Sequence, residues 1–176
     1  MHNADGLMIN PLFPSEQACR TANILIIDDE EADIRALEWA LRQAQFPNFR
    51  SLTDPTRARD EFARFRPDLV LLDLHMPELD GFGVLKQLRE ATSAADFLPV
   101  LVLTGDSTAE MRSRALAAGA TDFLGKPVDY TEVILRIKNL LQTRFLYRQA
   151  QVMQTQLETL TAKQASSPAA GPDQKL

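Results

Sequence analysis

The sequence predicts an α/β fold, a doubly wound five-stranded parallel sheet in the order 2-1-3-4-5 with five helices, the last extended C-terminally. Two observations carry that expectation. From Asn23 onward, short apolar segments alternate with helical stretches five times over. Strands that are apolar throughout belong to a sheet covered on both faces, and right-handed crossovers then put helices on each side. Secondly, four of the five segments end in chemistry-bearing residues: Asp28-Asp29, Asp73, Thr104 and Lys126. Open α/β sheets place their sites at such carboxyl ends, beside the point where the strand order reverses.

The first strand, 23–28, carries ILII before its acidic pair. A helix over 31–44 follows, with Ile34, Leu37, Leu41 and Ala44 at the spacing of a core-facing stripe. The second strand, 49–53, has the weakest pattern, since Arg50 and Ser51 interrupt Phe49 and Leu52. The second helix, 55–65, opens with Asp54 as N-cap and Pro55 at N1, and its Phe62 and Phe65 read as core. The third strand, 68–73, ends at Asp73, and the helix over 82–91 turns Val84, Leu85 and Leu88 inward. The fourth strand, 99–104, ends at Thr104, and the helix over 108–118 stops before Gly119, the expected C′ residue. The fifth strand, 121–125, runs into Lys126-Pro127. The fifth helix starts near Asp129 and buries Val133, Ile134, Ile137, Leu140 and Leu141.

At 176 residues the chain suits one domain with appendages, read as an irregular arm over 1–21, a domain over 22–142, a helical extension over 143–162 and a disordered tail over 163–176. Its 45% hydrophobic and 24% charged residues are those of a globular protein. A net charge of −5 and the lack of a long basic run argue against direct nucleic-acid binding. The N-terminal stretch has neither a charged n-region nor a continuous apolar run, so no signal peptide is expected, and no segment has bilayer-spanning length. With Cys19 as the single cysteine, a reducing, cytoplasmic location and no membrane association are the expectation.

Residues 142–162 contain no Gly or Pro and should continue the fifth helix. Leu146, Ala150, Met153, Leu157 and Leu160 follow heptad spacing over about two heptads, short of a firm coiled coil. That seam is out of register with Val133, Ile137 and Leu140, whose stripe extends onto Arg144. A helix folding back on the domain and a stalk joining two copies into a homodimer are both open.

Three carboxylates at adjacent strand ends repel unless a cation joins them. A hard ion such as Mg²⁺ suits them: Asp29 and Asp73 as direct ligands, Asp28 through water, and the His75 backbone carbonyl as a further ligand. The Asp73 carboxylate can attack phosphorus to give an aspartyl phosphate. Such transfer needs mainly positioning and charge neutralisation, which the Lys126 ammonium and the Thr104 hydroxyl can supply to other phosphoryl oxygens.

The Asp28-Asp29 pair after LII, the D-x-x-M-P-x-x-D-G run from Asp73 to Gly81, Thr104 with Gly105, and Lys126-Pro127 resemble the receiver domain of response regulators in two-component signalling. The resemblance covers residues 23–142. It implies that Asp73 accepts phosphate from the phosphohistidine of a sensor kinase or phosphotransfer protein, with Mg²⁺ held by Asp28, Asp29, Asp73 and the His75 carbonyl. It implies a cis Lys126–Pro127 peptide, Phe123 as the switch aromatic, and movement of Thr104 that reshapes the face of the fourth helix, fifth strand and fifth helix toward a downstream protein target. Such a domain is no enzyme beyond promoting its own phosphorylation and dephosphorylation.

Taken singly, the same residues have plainer roles: Asp28-Asp29 as a helix cap, Thr104 as a strand-end hydroxyl, Lys126 as a solvated lysine. The side chains of His75 and Asp106 are expected at the pocket edge, where they would set the phosphoryl lifetime. Trp39 falls off the stripe of its helix and reads as a partly exposed ring or a partner contact. A second reading is a receiver serving a cyclic-di-GMP enzyme outside this chain, suggested by EVILRIKNLLQTRFLYRQ. A third is a haloacid dehalogenase-type phosphatase, whose second aspartate is replaced here by His75.

Overall fold

The computed structural model describes residues 19–93 and 96–165, with side chains to residue 162. Most of the expected N-terminal arm, and the tail beyond 165, lie outside the described residues. In chain order the elements are β1 (Ile24–Ile27), α1 (Glu31–Gln43), β2 (Phe49–Leu52), a 3-10 turn (Pro55–Arg57), α2 (Ala58–Phe65), β3 (Leu69–Leu72), α3 (Gly81–Ala91), β4 (Val100–Thr104), α4 (Ala109–Ala117), β5 (Asp122–Gly125) and α5 (Tyr130–Ala165). The five strands are parallel and ordered β2-β1-β3-β4-β5.

Strand alternation divides the core in two. Leu25, Ile27, Val70, Leu72, Val100 and Val102 face one way, onto Val84, Leu85 and Leu88 of α3. Ile24, Ile26, Leu69, Leu71, Leu101 and Leu103 face the other way, onto Ile34, Leu37 and Leu41 of α1 and Val133, Ile137 and Leu141 of α5. Because β1, β3 and β4 are sandwiched by helices, each is buried along its whole length. The edge strand β2 buries only Leu52, which is why its pattern is faint in the sequence.

Helix starts follow local chemistry. The Asp54 side chain accepts from Thr56 N at 2.9 Å, with Pro55 behind it, so the expected second helix opens as a 3-10 turn before α2 proper. Asp80 accepts from Gly83 N at 2.8 Å, which starts α3 at Gly81, one residue before the sequence pattern suggested. Thr108 caps α4 through Met111 N at 3.2 Å. Gly119 adopts φ 106° after α4, a conformation that a side chain resists.

Helix α5 runs 36 residues, roughly 54 Å at the standard rise. Its core stripe continues through Arg144, which is 2% exposed. The guanidinium meets the Asp96 carboxylate through both terminal nitrogens and also bonds the Phe97 carbonyl. Four residues on, Arg148 bonds Asp68 at 2.6 Å. The Phe97 and Tyr147 rings lie 5.8 Å apart beside this clamp. Beyond it the helix does not fold back: Val152, Met153, Leu157 and Leu160 are exposed.

Candidate functional site

Register gathers the site. Ile27 pairs with Leu72 and Leu72 with Val102, so Asp28, Asp73 and Thr104 emerge along one rim, with Lys126 past the end of β5. Carboxylate oxygens of Asp28, Asp29 and Asp73 all lie within 4.8 Å of one another. Lys126 Nζ donates to Asp28 Oδ2 at 2.8 Å and to Asp73 Oδ2 at 3.0 Å, and pairs with Asp33 Oδ2 at 2.6 Å. Backbone amides hold the remaining oxygens: Glu30 N donates to Asp28 Oδ1 at 2.9 Å and His75 N to Asp73 Oδ1 at 3.2 Å. The Lys126–Pro127 peptide is cis, and Lys126 N donates to the Thr104 carbonyl at 2.7 Å.

The electrostatics follow from burial. Asp28 is almost wholly buried, and desolvation holds its carboxyl above the ordinary range despite the bonds from Lys126 and Glu30. Desolvation also opposes the Lys126 charge, but bonds to Asp28, Asp33 and Asp73 outweigh it and keep the ammonium above its usual value. Four carboxyl groups share a single ammonium in the hollow, so acidic groups outnumber the basic one by three. Oxygen donors with that excess fit a hard divalent cation, and their 4.8 Å spread is comparable to the ~4.2 Å across an octahedral shell of ~2.1 Å bonds.

Thr104 is fully buried. Its hydroxyl lies 2.8 Å from His75 Nδ1, and Asp106 N approaches it at 3.5 Å. Thus the His75 side chain, expected at the pocket edge, is tied directly to the strand-end hydroxyl. The Asp106 Oδ1 accepts from Thr108 N at 3.1 Å, a bond that, with a smaller contribution from nearby His75, lowers its carboxyl below the ordinary range. Phe123 is buried at 5% exposure among core residues that include Ala115 and Ala120. Trp39 stands outside this arrangement, 60% exposed on α1.

One participant escaped the sequence reading. Asp33, in the first turn of α1, reaches Lys126 from four residues past Asp29. That one-turn spacing was the available signal, but an acidic residue at a helix N-terminus is ordinarily explained by the dipole.

A family model for the response regulator receiver domain matches residues 24–138. Response regulator PleD of Caulobacter vibrioides is 37% identical over 125 residues, 71% of this chain and 27% of its own length. Response regulator MprA of a Mycobacterium species is 41% identical over 122 residues, 68% of this chain and 50% of its own. The chain therefore spans about a quarter to a half of the length of these curated relatives. Among solved structures, the Vibrio cholerae chemotaxis protein CheY4 aligns with a TM-score of 0.63 at 25% identity, over 68% of this chain and 98% of that one. The receiver domain of Francisella response regulator 1452 shares the fold, with a TM-score of 0.64 at 24% identity over 70% of this chain and 98% of its own. No described helix is long and apolar enough to cross a membrane. The matched span runs from β1 into α5 and takes in every strand end that borders the acidic hollow, so the chain belongs to the response regulator receiver domain family.

Proposed function

We propose that Asp73 accepts a phosphoryl group from a phosphohistidine of a sensor histidine kinase or phosphotransfer protein, in a Mg²⁺-dependent reaction. The observation that carries this reading is the convergence on Asp73 of two further acidic oxygens and the Lys126 ammonium in one hollow. A carboxylate oxygen of Asp73 attacks phosphorus, the P–O bond forms as the P–N bond breaks, and the departing imidazole takes up a proton. Mg²⁺ held by Asp29, Asp73 and the His75 carbonyl, with Asp28 through water, would neutralise charge on the transferred group. Lys126, already 3.0 Å from Asp73, stays beside the new phosphoryl oxygens.

Thr104 supplies the response. Its hydroxyl turns from His75 toward a phosphoryl oxygen, and the Phe123 ring follows into the space released. That biases the surface of α4, β5 and α5, the face offered to a downstream protein. Residues 22–142 form the receiver unit in this reading, and 143–162 a stalk.

A second reading, with an output such as a cyclic-di-GMP enzyme outside this chain, draws support from the greater length of the relatives and from the exposed continuation of α5. The stripe of Met153, Leu157 and Leu160 on that continuation favours a homodimer. Against phosphatase turnover, position 75 holds a histidine bonded to Thr104 where a second aspartate would stand.

The test is incubation with acetyl phosphate and Mg²⁺, followed by intact mass and size-exclusion chromatography. A phosphoryl adduct on wild type that is absent from Asp73→Asn supports the assignment. Equal adduct in Asp73→Asn, or none on wild type, overturns it.

A further inference from the structure

At the amino-terminal ends of β3 and β4, away from the acidic hollow at the carboxyl ends, a cavity of about 490 Å³ lies between α2, the loop preceding β4 and α5. Its charged wall consists of Arg59 and Arg66 from α2 and its C-cap, Arg144 and Arg148 from α5, and Asp96. Phe62, Pro67 and Leu98 supply apolar wall. This arrangement is opposite in sign to the chain as a whole, whose net charge is −5.

The carboxylates nearby are already committed. Asp96 is taken by Arg144, and Asp68 by Arg148 and by Asn23 N at 3.0 Å. Arg59 and Arg66 have no side-chain hydrogen bond or ion pair among the described residues, so four guanidiniums meet two carboxylates and two positive charges are left over. A second observation is independent of this balance. Arg144 is 2% exposed, yet its Nε finds no hydrogen-bond partner among the described residues. A buried donor without a partner is rare, because desolvation leaves its cost uncompensated.

We propose that this cavity binds a small phosphorylated organic molecule of nucleotide size. Guanidinium forks match phosphate oxygens in geometry and stay charged at any physiological pH. The volume is far beyond the ~30 Å³ share of one water molecule and falls in the range of small-molecule sites, so a bare phosphate would leave it mostly unfilled. Phe62 in the lining supplies aromatic surface suited to a planar base. Such a ligand would join α2 to α5 at the point where α5 leaves the domain.

The test uses AMP, ATP and inorganic pyrophosphate as probes, titrated by calorimetry into wild type, Asp73→Asn and Arg59→Ala/Arg66→Ala, at low ionic strength and without Mg²⁺. Arg59 and Arg66 are exposed, so their replacement leaves the core intact; circular dichroism checks this. The expected result is saturable one-to-one binding of AMP or ATP, unchanged in Asp73→Asn and weakened at least about tenfold in the double variant, as loss of charge-assisted bonds implies. Three results each overturn the proposal: no saturable binding of either nucleotide, equal affinity in the double variant, or affinity lost in Asp73→Asn, which would place binding in the acidic hollow. Pyrophosphate binding as tightly as ATP would overturn the organic part, since the apolar wall would then contribute nothing.

Discussion

The clamp between Arg144 and Asp96 should respond very unequally to loss of its two partners. The Arg144 side chain is 2% exposed and that of Asp96 is 38% exposed. In Arg144→Met the aliphatic stem keeps its packing and Asp96 returns to water. The loss is then that of the charge-assisted bonds, ~1.5–3 kcal/mol. In Asp96→Ala a guanidinium stays buried with the Phe97 carbonyl as its remaining partner. Stranding one member of a buried pair costs ~3–5 kcal/mol. Asp96→Ala is therefore expected to be less stable than Arg144→Met by ~2 kcal/mol, and the double variant should recover most of the difference, since no charge is left behind. Urea unfolding followed by circular dichroism at neutral pH measures all three. The reasoning fails if Arg144→Met is the less stable single variant, or if the double variant is no better than Asp96→Ala.

Acid should erode the same clamp. The bonds from Arg144 lower the Asp96 carboxyl in the folded state, so their stabilisation is present above the unfolded value and is lost as pH falls through the folded one. The stability gap between wild type and Asp96→Ala should accordingly narrow below about pH 4 in urea titrations. A methyl group at Gly81 would lie 2.2 Å from the Asp73 carbonyl oxygen and 2.6 Å from Leu74 Cα, whereas at Gly105 it meets nothing within 4 Å. Gly81→Ala should cost ~2–3 kcal/mol in unfolding experiments, with Gly105→Ala within ~0.5 kcal/mol of wild type. Removing the imidazole in His75→Ala frees the Thr104 hydroxyl from a bond worth ~1 kcal/mol, so the initial rate of adduct formation from acetyl phosphate should rise up to about fivefold. An unchanged rate, followed by mass spectrometry, would show that this contact does not restrain the threonine.

Buried strands and their polar ends were the readable part of this chain. ILII, LVLL and the VLVL that precedes Thr104 are apolar throughout because helices cover both faces, and the strand order then follows from handedness. The edge strand FRSL is legible only weakly, since one side of it meets solvent. What the pattern hides are contacts between residues far apart in sequence. His75 and Thr104 are 29 positions apart, and Arg144 and Asp96 are 48 apart. Arg144 was the most misleading: an arginine on an apolar stripe reads as the end of that stripe, whereas the carboxylate of a distant loop lets the stripe carry on inward. Asp33 was hidden for the opposite reason, its helix position being sufficient explanation by itself.

The unbroken course of α5 gives the molecule a lever. Its root packs under β1 and β3, the clamp near residue 144 acts as fulcrum, and about 21 residues project beyond, roughly 32 Å at the standard rise. A tilt of only ~10° at the fulcrum would swing the far end by ~5 Å. A small change of angle where α5 leaves the domain would therefore become a large displacement at its far end.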